Sequence, residues 1–172
     1  MSRVTAGLRS RLSPVAAVLW MRSKEMTQLT EQQTRQLIAV VNSRNVDTVV
    51  EQYAENATFQ VPSMETPIHG KDAIRTFYSG RFAAFPDWTI DVSKVFLSGD
   101  ETVVVNSIHG TQTGPLVTMD GKSIPPTNRK FVQDQLTRLV INAQGKVQSH
   151  RAYGNPAEVN RQLGISPSKP IA

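Results

Sequence analysis

The chain contains no cysteine. Disulfides and thiolate metal sites are therefore excluded, and cysteine usage carries no information about the redox compartment. Long apolar runs are also missing: the stretch from Val15 to Met21 is seven residues, far short of the roughly 20 a membrane helix needs. No glycine-rich dinucleotide or phosphate loop is present. The three histidines, His69, His109 and His150, are far apart and show no metal-ligand spacing. Neither a metal nor a cofactor is expected.

Acidic residues are absent from the first 24 positions, where Arg3, Arg9, Arg11, Arg22 and Lys24 are interspersed with serines. With Glu25 included, this segment accounts for most of the net charge of +5, leaving 14 basic against 13 acidic residues in the rest of the chain. A neutral domain behind a basic tail argues against a nucleic-acid face. Acid-poor, Arg- and Ser-rich composition is that of an organelle transit peptide. Residues 1–25 are thus expected to be a transit-like or disordered extension, or to precede a true start at Met21 or Met26. The compartment is expected to be cytoplasmic, or mitochondrial if the extension is an address.

What remains, residues 26–165 with a short tail at 166–172, reads as one α+β domain. Thr30 followed by Gln33 is a capping box, and Leu37, Ile38 and Val41 give a helical apolar stripe. Asp47 can cap a second helix running through Tyr53 and Ala54, after which 57–61 alternates like a strand until Pro62. Helical spacing returns from Lys71 to Phe85. Strands are expected at about 88–98, 102–113, 129–142 and 146–154, and Asn155-Pro156 opens a closing helix to Leu163-Gly164. Residues around Ser123-Ile124-Pro125-Pro126 read as a non-strand connection. Helices followed by a run of strands imply helices packed on one face of a sheet. A sheet curled round them leaves a cavity at its wide end, which favours a small-molecule site.

Tyr53-Ala54-Glu55-Asn56-Ala57-Thr58-Phe59, Pro62, Gly70, Ala73-Ile74 and Phe77-Tyr78 resemble the first half of ketosteroid isomerases and SnoaL-like proteins. The second half is similar to SnoaL-like polyketide cyclases, through Ala84-Phe85-Pro86-Asp87-Trp88, Gly110-Thr111-Gln112-Thr113-Gly114-Pro115, Ile124-Pro125-Pro126-Thr127-Asn128-Arg129 and Tyr153-Gly154-Asn155-Pro156. The resemblance implies the nuclear transport factor 2-like cone, a curved antiparallel sheet wrapped around N-terminal helices with an internal pocket. It also implies homodimerisation through the outer sheet face and a small apolar ligand as partner.

Isomerases of this resemblance use a carboxylate base before the proline that ends the first strand, matched here by Val61, and a tyrosine on the first helix, matched by Leu37. Neither can transfer a proton. Cyclases use an aspartate near the end of the last strand, matched by Asn155, and often a histidine where Gln112 stands. Amides orient or hydrogen-bond a carbonyl but take up no proton at neutral pH. Asn155 and Gln112 are the candidate catalytic positions on this basis.

Strand alternation groups Val147, Ser149, Arg151, Tyr153 and Asn155 on one face, with His150 and Ala152 opposite. On the preceding strand Phe131, Gln133, Gln135, Thr137 and Leu139 share a face. The face with Asn155, Tyr153 and Gln135 is taken as the pocket lining, with Tyr53 and Trp88 as further walls. His150 and His109 read as surface or structural histidines, and Asp134 with Arg138 as a surface charge pair. The function expected is a small-molecule-binding protein, with cofactor-free cyclase, isomerase or hydrolase chemistry on an apolar carbonyl-bearing ligand. The alternative is a non-catalytic binding or assembly subunit.

Overall fold

The computed structural model describes residues 29–118 and 121–165. The expectations for residues 1–25 and for the tail 166–172 lie outside the described residues. Thr30 caps α1 (Glu31–Asn42) with a reciprocal box: its hydroxyl accepts from the Gln33 backbone at 3.1 Å, and the Gln33 side chain accepts from the Thr30 backbone at 2.8 Å. The cap of the short α2 (Val46–Val50) is Asn45 rather than Asp47, its Oδ1 accepting from Thr48 N. Asp47 instead sits in the first turn and pairs with Arg75.

α2 also ends earlier than the apolar spacing suggests. Tyr53 and Ala54 begin the strand β1 (Tyr53–Gln60), because the backbone there pairs with Val147, whose N–H donates to Gln52 O. A two-residue β2 (Ile68–His69) leads into α3 (Gly70–Ala84), entered through Gly70 at φ 81°. The hairpin β3 (Thr89–Ser98) and β4 (Glu101–Thr111) follows. Then come the two-residue pair β5 (Leu116–Val117) and β6 (Ser123–Ile124), where no strand is expected. The chain closes with β7 (Lys130–Ile141), β8 (Val147–Tyr153) and α4 (Pro156–Leu163), the helix stopped by Gly164 in the left-handed conformation.

The six-stranded sheet has the order β2-β1-β8-β7-β4-β3, antiparallel throughout except where β1 runs parallel to β8. Bulges in β3 and β8 break the register and increase the local twist that curls the sheet. α1 lies against β3, fixed by the paired bonds Asn42 Nδ2 to Ile90 O (2.9 Å) and Ile90 N to Asn42 Oδ1 (2.8 Å). α3 lies against β1. Between helices and inner face sits the core, in which Phe59, Phe85 and Ile74 are fully buried, each contributing roughly 1.5–3 kcal/mol.

Candidate functional site

The bulge in β8 decides what lines the interior. Val140 pairs with Ser149, but Ile141 pairs with Val147, so Gln148 is the extra residue. Val147 faces inward with Ile141. Beyond the bulge the inward residues are His150, opposite Leu139, and Ala152, opposite Thr137. Simple alternation from Val147 would put Ser149, Arg151 and Tyr153 inside; the structure puts them outside, with Tyr153 46% exposed. His150, expected to be a surface or structural histidine, instead points to the interior.

There His150 meets two tyrosines from different elements. Tyr53 Oη lies 2.8 Å from His150 Nδ1 and 3.1 Å from Tyr78 Oη, so one hydroxyl at the start of β1 bridges the strand histidine to the long helix. Phe59, the parallel-register partner of His150, packs against its ring at a centroid distance of 4.6 Å. Leu37, Ile38 and Val41 of α1, Val49 of α2, and Leu139 and Val147 of the sheet wall a hollow over this cluster. Its volume of about 20 Å³ has room for about one water molecule.

Low polarity around the cluster keeps all three groups uncharged at neutral pH. Burial lowers the His150 pKa to about 4. Burial raises that of Tyr78 to about 12 against a lowering by its bond to Tyr53. Tyr53 is raised well above its ordinary value, first by burial and then by Tyr78. A neutral imidazole in this chain has two tautomers. When Nδ1 donates to Tyr53, Tyr53 can donate on to Tyr78, and Nε2 carries a free lone pair. In the other tautomer Tyr78 donates to Tyr53, Tyr53 to Nδ1, and Nε2 carries the proton. The cluster can thus offer either a base or a donor at the same nitrogen.

This fold is shared with solved structures of low sequence identity. The chain is similar to a protein described as a SnoaL-like polyketide cyclase from Jannaschia sp. CCS1, at 19% identity and a TM-score of 0.68 over 92% of this chain and 99% of that one. It is similar to a ketosteroid isomerase-like protein from Catenulispora acidiphila in complex with trimethylamine, at 15% identity and 0.66 over 80% and 96%. It is also similar to IdmH from Streptomyces antibioticus, a candidate polyketide cyclase, at 23% identity and 0.58 over 75% and 94%. The model of the SnoaL-like polyketide cyclase family matches residues 31–163. The chain belongs to that family. Among curated proteins no match is found.

Of the candidate site residues Asn155, Gln112, Tyr53, Trp88, Gln135 and Tyr153, Tyr53 alone lines the hollow. Asn155 is exposed and caps α4, its Oδ1 accepting from Ala157 N at 3.1 Å. Gln112 is completely buried but engaged within its own loop. Its Nε2 donates to Pro125 O at 3.1 Å, with longer bonds to Gly114 O and Ile124 O, and its Oε1 accepts from Thr127 Oγ1 at 2.8 Å. Gln135 does face inward, in a separate polar row where Gln135 Nε2 donates to Thr137 Oγ1 and Thr137 donates to buried Asn106, both at 3.2 Å. Trp88 is inside, in an aromatic group with Phe85 and Phe131. Leu37, where the isomerase resemblance places a tyrosine, is part of the hollow's wall; the tyrosines come instead from β1 and α3. Asp134 and Arg138 do not pair with each other: Asp134 accepts from Ser107, and Arg138 is bound to Glu101. Among the described residues no cluster of three His, Cys, Asp or Glu side chains could hold a metal. No described helix is long and apolar enough to cross a membrane.

Proposed function

We propose that this SnoaL-family protein binds a small, mainly apolar, carbonyl-bearing molecule beneath α1 and moves a proton on it. His150 Nε2 removes a proton from the carbon beside the carbonyl, whose electron pair becomes an enolate. The Tyr53–Tyr78 pair supplies the hydroxyl that hydrogen-bonds the developing oxyanion. Return of the proton to another carbon gives an isomerisation; attack of the enolate carbon on a second carbonyl, with the proton passing to the new alkoxide, gives a ring closure. The single observation that carries this reading is the hydrogen-bonded His150–Tyr53–Tyr78 cluster, of which His150 and Tyr53 line a mainly apolar hollow.

The small hollow favours a second reading, in which the domain binds or assembles without catalysis and the cluster is only internal packing. Ligand pockets for drug-sized molecules are about 300–1,000 Å³, so such a ligand requires α1 to move outward. One experiment separates the two: deuterium exchange beside the carbonyl of 2-tetralone in D₂O, followed by NMR. Catalysis predicts exchange above the buffer blank by wild type, reduced about 10²–10⁴-fold in His150→Gln. Equal exchange by wild type, variant and blank would leave the non-catalytic reading standing.

A further inference from the structure

Arg81 is a half-buried cation packed over aromatic rings. It lies on α3, three residues beyond Tyr78, a spacing that puts the two Cβ atoms on one helix face, about 5–6 Å apart. Its guanidinium carbon is 5.0 Å from the centre of the Phe77 ring, 5.6 Å from that of Trp88 and 5.9 Å from that of Phe85. No ion pair or hydrogen bond joins it to another described residue, and desolvation alone lowers its pKa to about 10. The group therefore stays charged at neutral pH, half-buried against ring faces with its remaining surface open to solvent. Cation–π contact offsets part of the cost of that burial, and its N–H donors meet no acceptor among the described residues.

Two donors on the same side of the sheet are buried and unpartnered. Trp88 is 9% exposed, and its Nε1 is buried without a partner; so is Gln133 Nε2 on the inward face of β7. A Cβ at Gly154 would come within 2.7 Å of Gln133 Nε2, so any larger residue there would shift the amide. Each buried, unpaired donor costs about 1–3 kcal/mol, and native structures hold few. Both buried, unpartnered atoms are donors, and the charge stacked on Trp88 is a cation. A single cation in an aromatic setting fits a monoanion, and the guanidinium fork fits a carboxylate, whose oxygens accept up to four bonds.

We propose that Arg81, with the indole N–H of Trp88 and the amide N–H of Gln133, forms the subsite for the carboxylate of a small apolar acid. The inference rests on the small-molecule reading above and narrows its ligand class. The carboxylate lies at Arg81, the apolar body lies against Phe77, Phe85 and Trp88, and the reacting carbonyl reaches Tyr78 and Tyr53 one helical turn away.

The test uses the full chain and measures binding rather than turnover, by calorimetry and thermal shift. The probes are benzoate, 3-phenylpropanoate and hexanoate, each beside its uncharged amide. Wild type is expected to bind an acid at least about tenfold more tightly than its amide, the scale of a charge-assisted fork. Arg81→Leu should abolish the preference, Trp88→Phe should reduce it, and His150→Gln should retain it. Should Arg81→Leu fail to fold, Trp88→Phe and Gln133→Leu carry the comparison. Acid and amide binding wild type equally, or an unchanged preference in Arg81→Leu, would overturn the carboxylate subsite and leave the small-molecule reading intact. Wild type binding neither acids nor amides would overturn both.

Discussion

Acid should destabilise this protein through His150 before it does so through any carboxylate. A histidine with an ordinary pKa near 6.5 when unfolded and about 4 when folded takes up its proton in the unfolded chain first. Between those values only the unfolded state is stabilised by protonation, so stability is fully present above pH 6.5 and is lost as pH falls towards 4. From pH 7 to 4.5 the loss is about 2 kcal/mol, from 1.36 kcal/mol per unit of pKa difference. The ring keeps some solvent contact, which makes that figure an upper bound. The carboxylates held below their usual range act lower down. Asp87 is lowered by its bonds from Thr111, against burial as the largest and opposing effect; Glu101 is lowered by Arg138, and Glu158 by Arg161. Their contributions disappear below about pH 4.5. Urea unfolding at pH 7, 5.5 and 4.5 should therefore show the midpoint falling by about 1 M in wild type and much less in His150→Gln. A parallel NMR titration of the imidazole should give an apparent pKa well below 6. Equal acid sensitivity in the two proteins, or a titration near 6.5, would refute the buried, neutral His150 on which the proposed proton chemistry depends.

Gln112→Leu should cost about 2–3 kcal/mol in unfolding free energy, because it strands the Thr127 hydroxyl and three loop carbonyls in a buried place; an unchanged urea midpoint would contradict the clasp described here. Asn155→Ala should cost about 1 kcal/mol through the lost cap of α4, and should leave the ketone exchange rate as it is, which a direct catalytic role would not allow. The outer sheet face carries Phe96, Val132, Leu136 and Tyr153, each about half exposed, with Leu136 and Tyr153 paired across β7 and β8. We propose that a second copy of this chain covers them: sedimentation at micromolar concentration should give a dimer, and Leu136→Lys a monomer. A monomeric wild type would remove that proposal.

The elements were largely legible because their signals are local. The Thr30–Gln33 box, the helical stripe of α3 and the Asn155-Pro156 opening of α4 each lie within a few residues of the structure they set. Asn155 shows how a local signal and a family correspondence compete at one position. Before a proline at the first helical position, an asparagine has a cap to make, and its Oδ1 is bound to Ala157 N rather than directed inward. The site was less legible because it depends on a single extra residue. Alternation in β8 is valid only while the ladder is unbroken, and nothing in Val147-Gln148-Ser149 marks the bulge in sequence. Its cause is long-range: Val147 and Ile141 must both be buried on one side, while β1 runs parallel on the other with Phe59 against His150. One inserted residue turns every later side chain to the other face, so Tyr153 goes out and His150 goes in. The same bulge brings a histidine from β8 to a tyrosine 97 positions earlier. His150 had to be read as an isolated histidine until that pairing was known. In this family member the buried histidine and tyrosines to which we assign proton transfer stand at neither family carboxylate position, and the irregular strand is what brings them together at a third place.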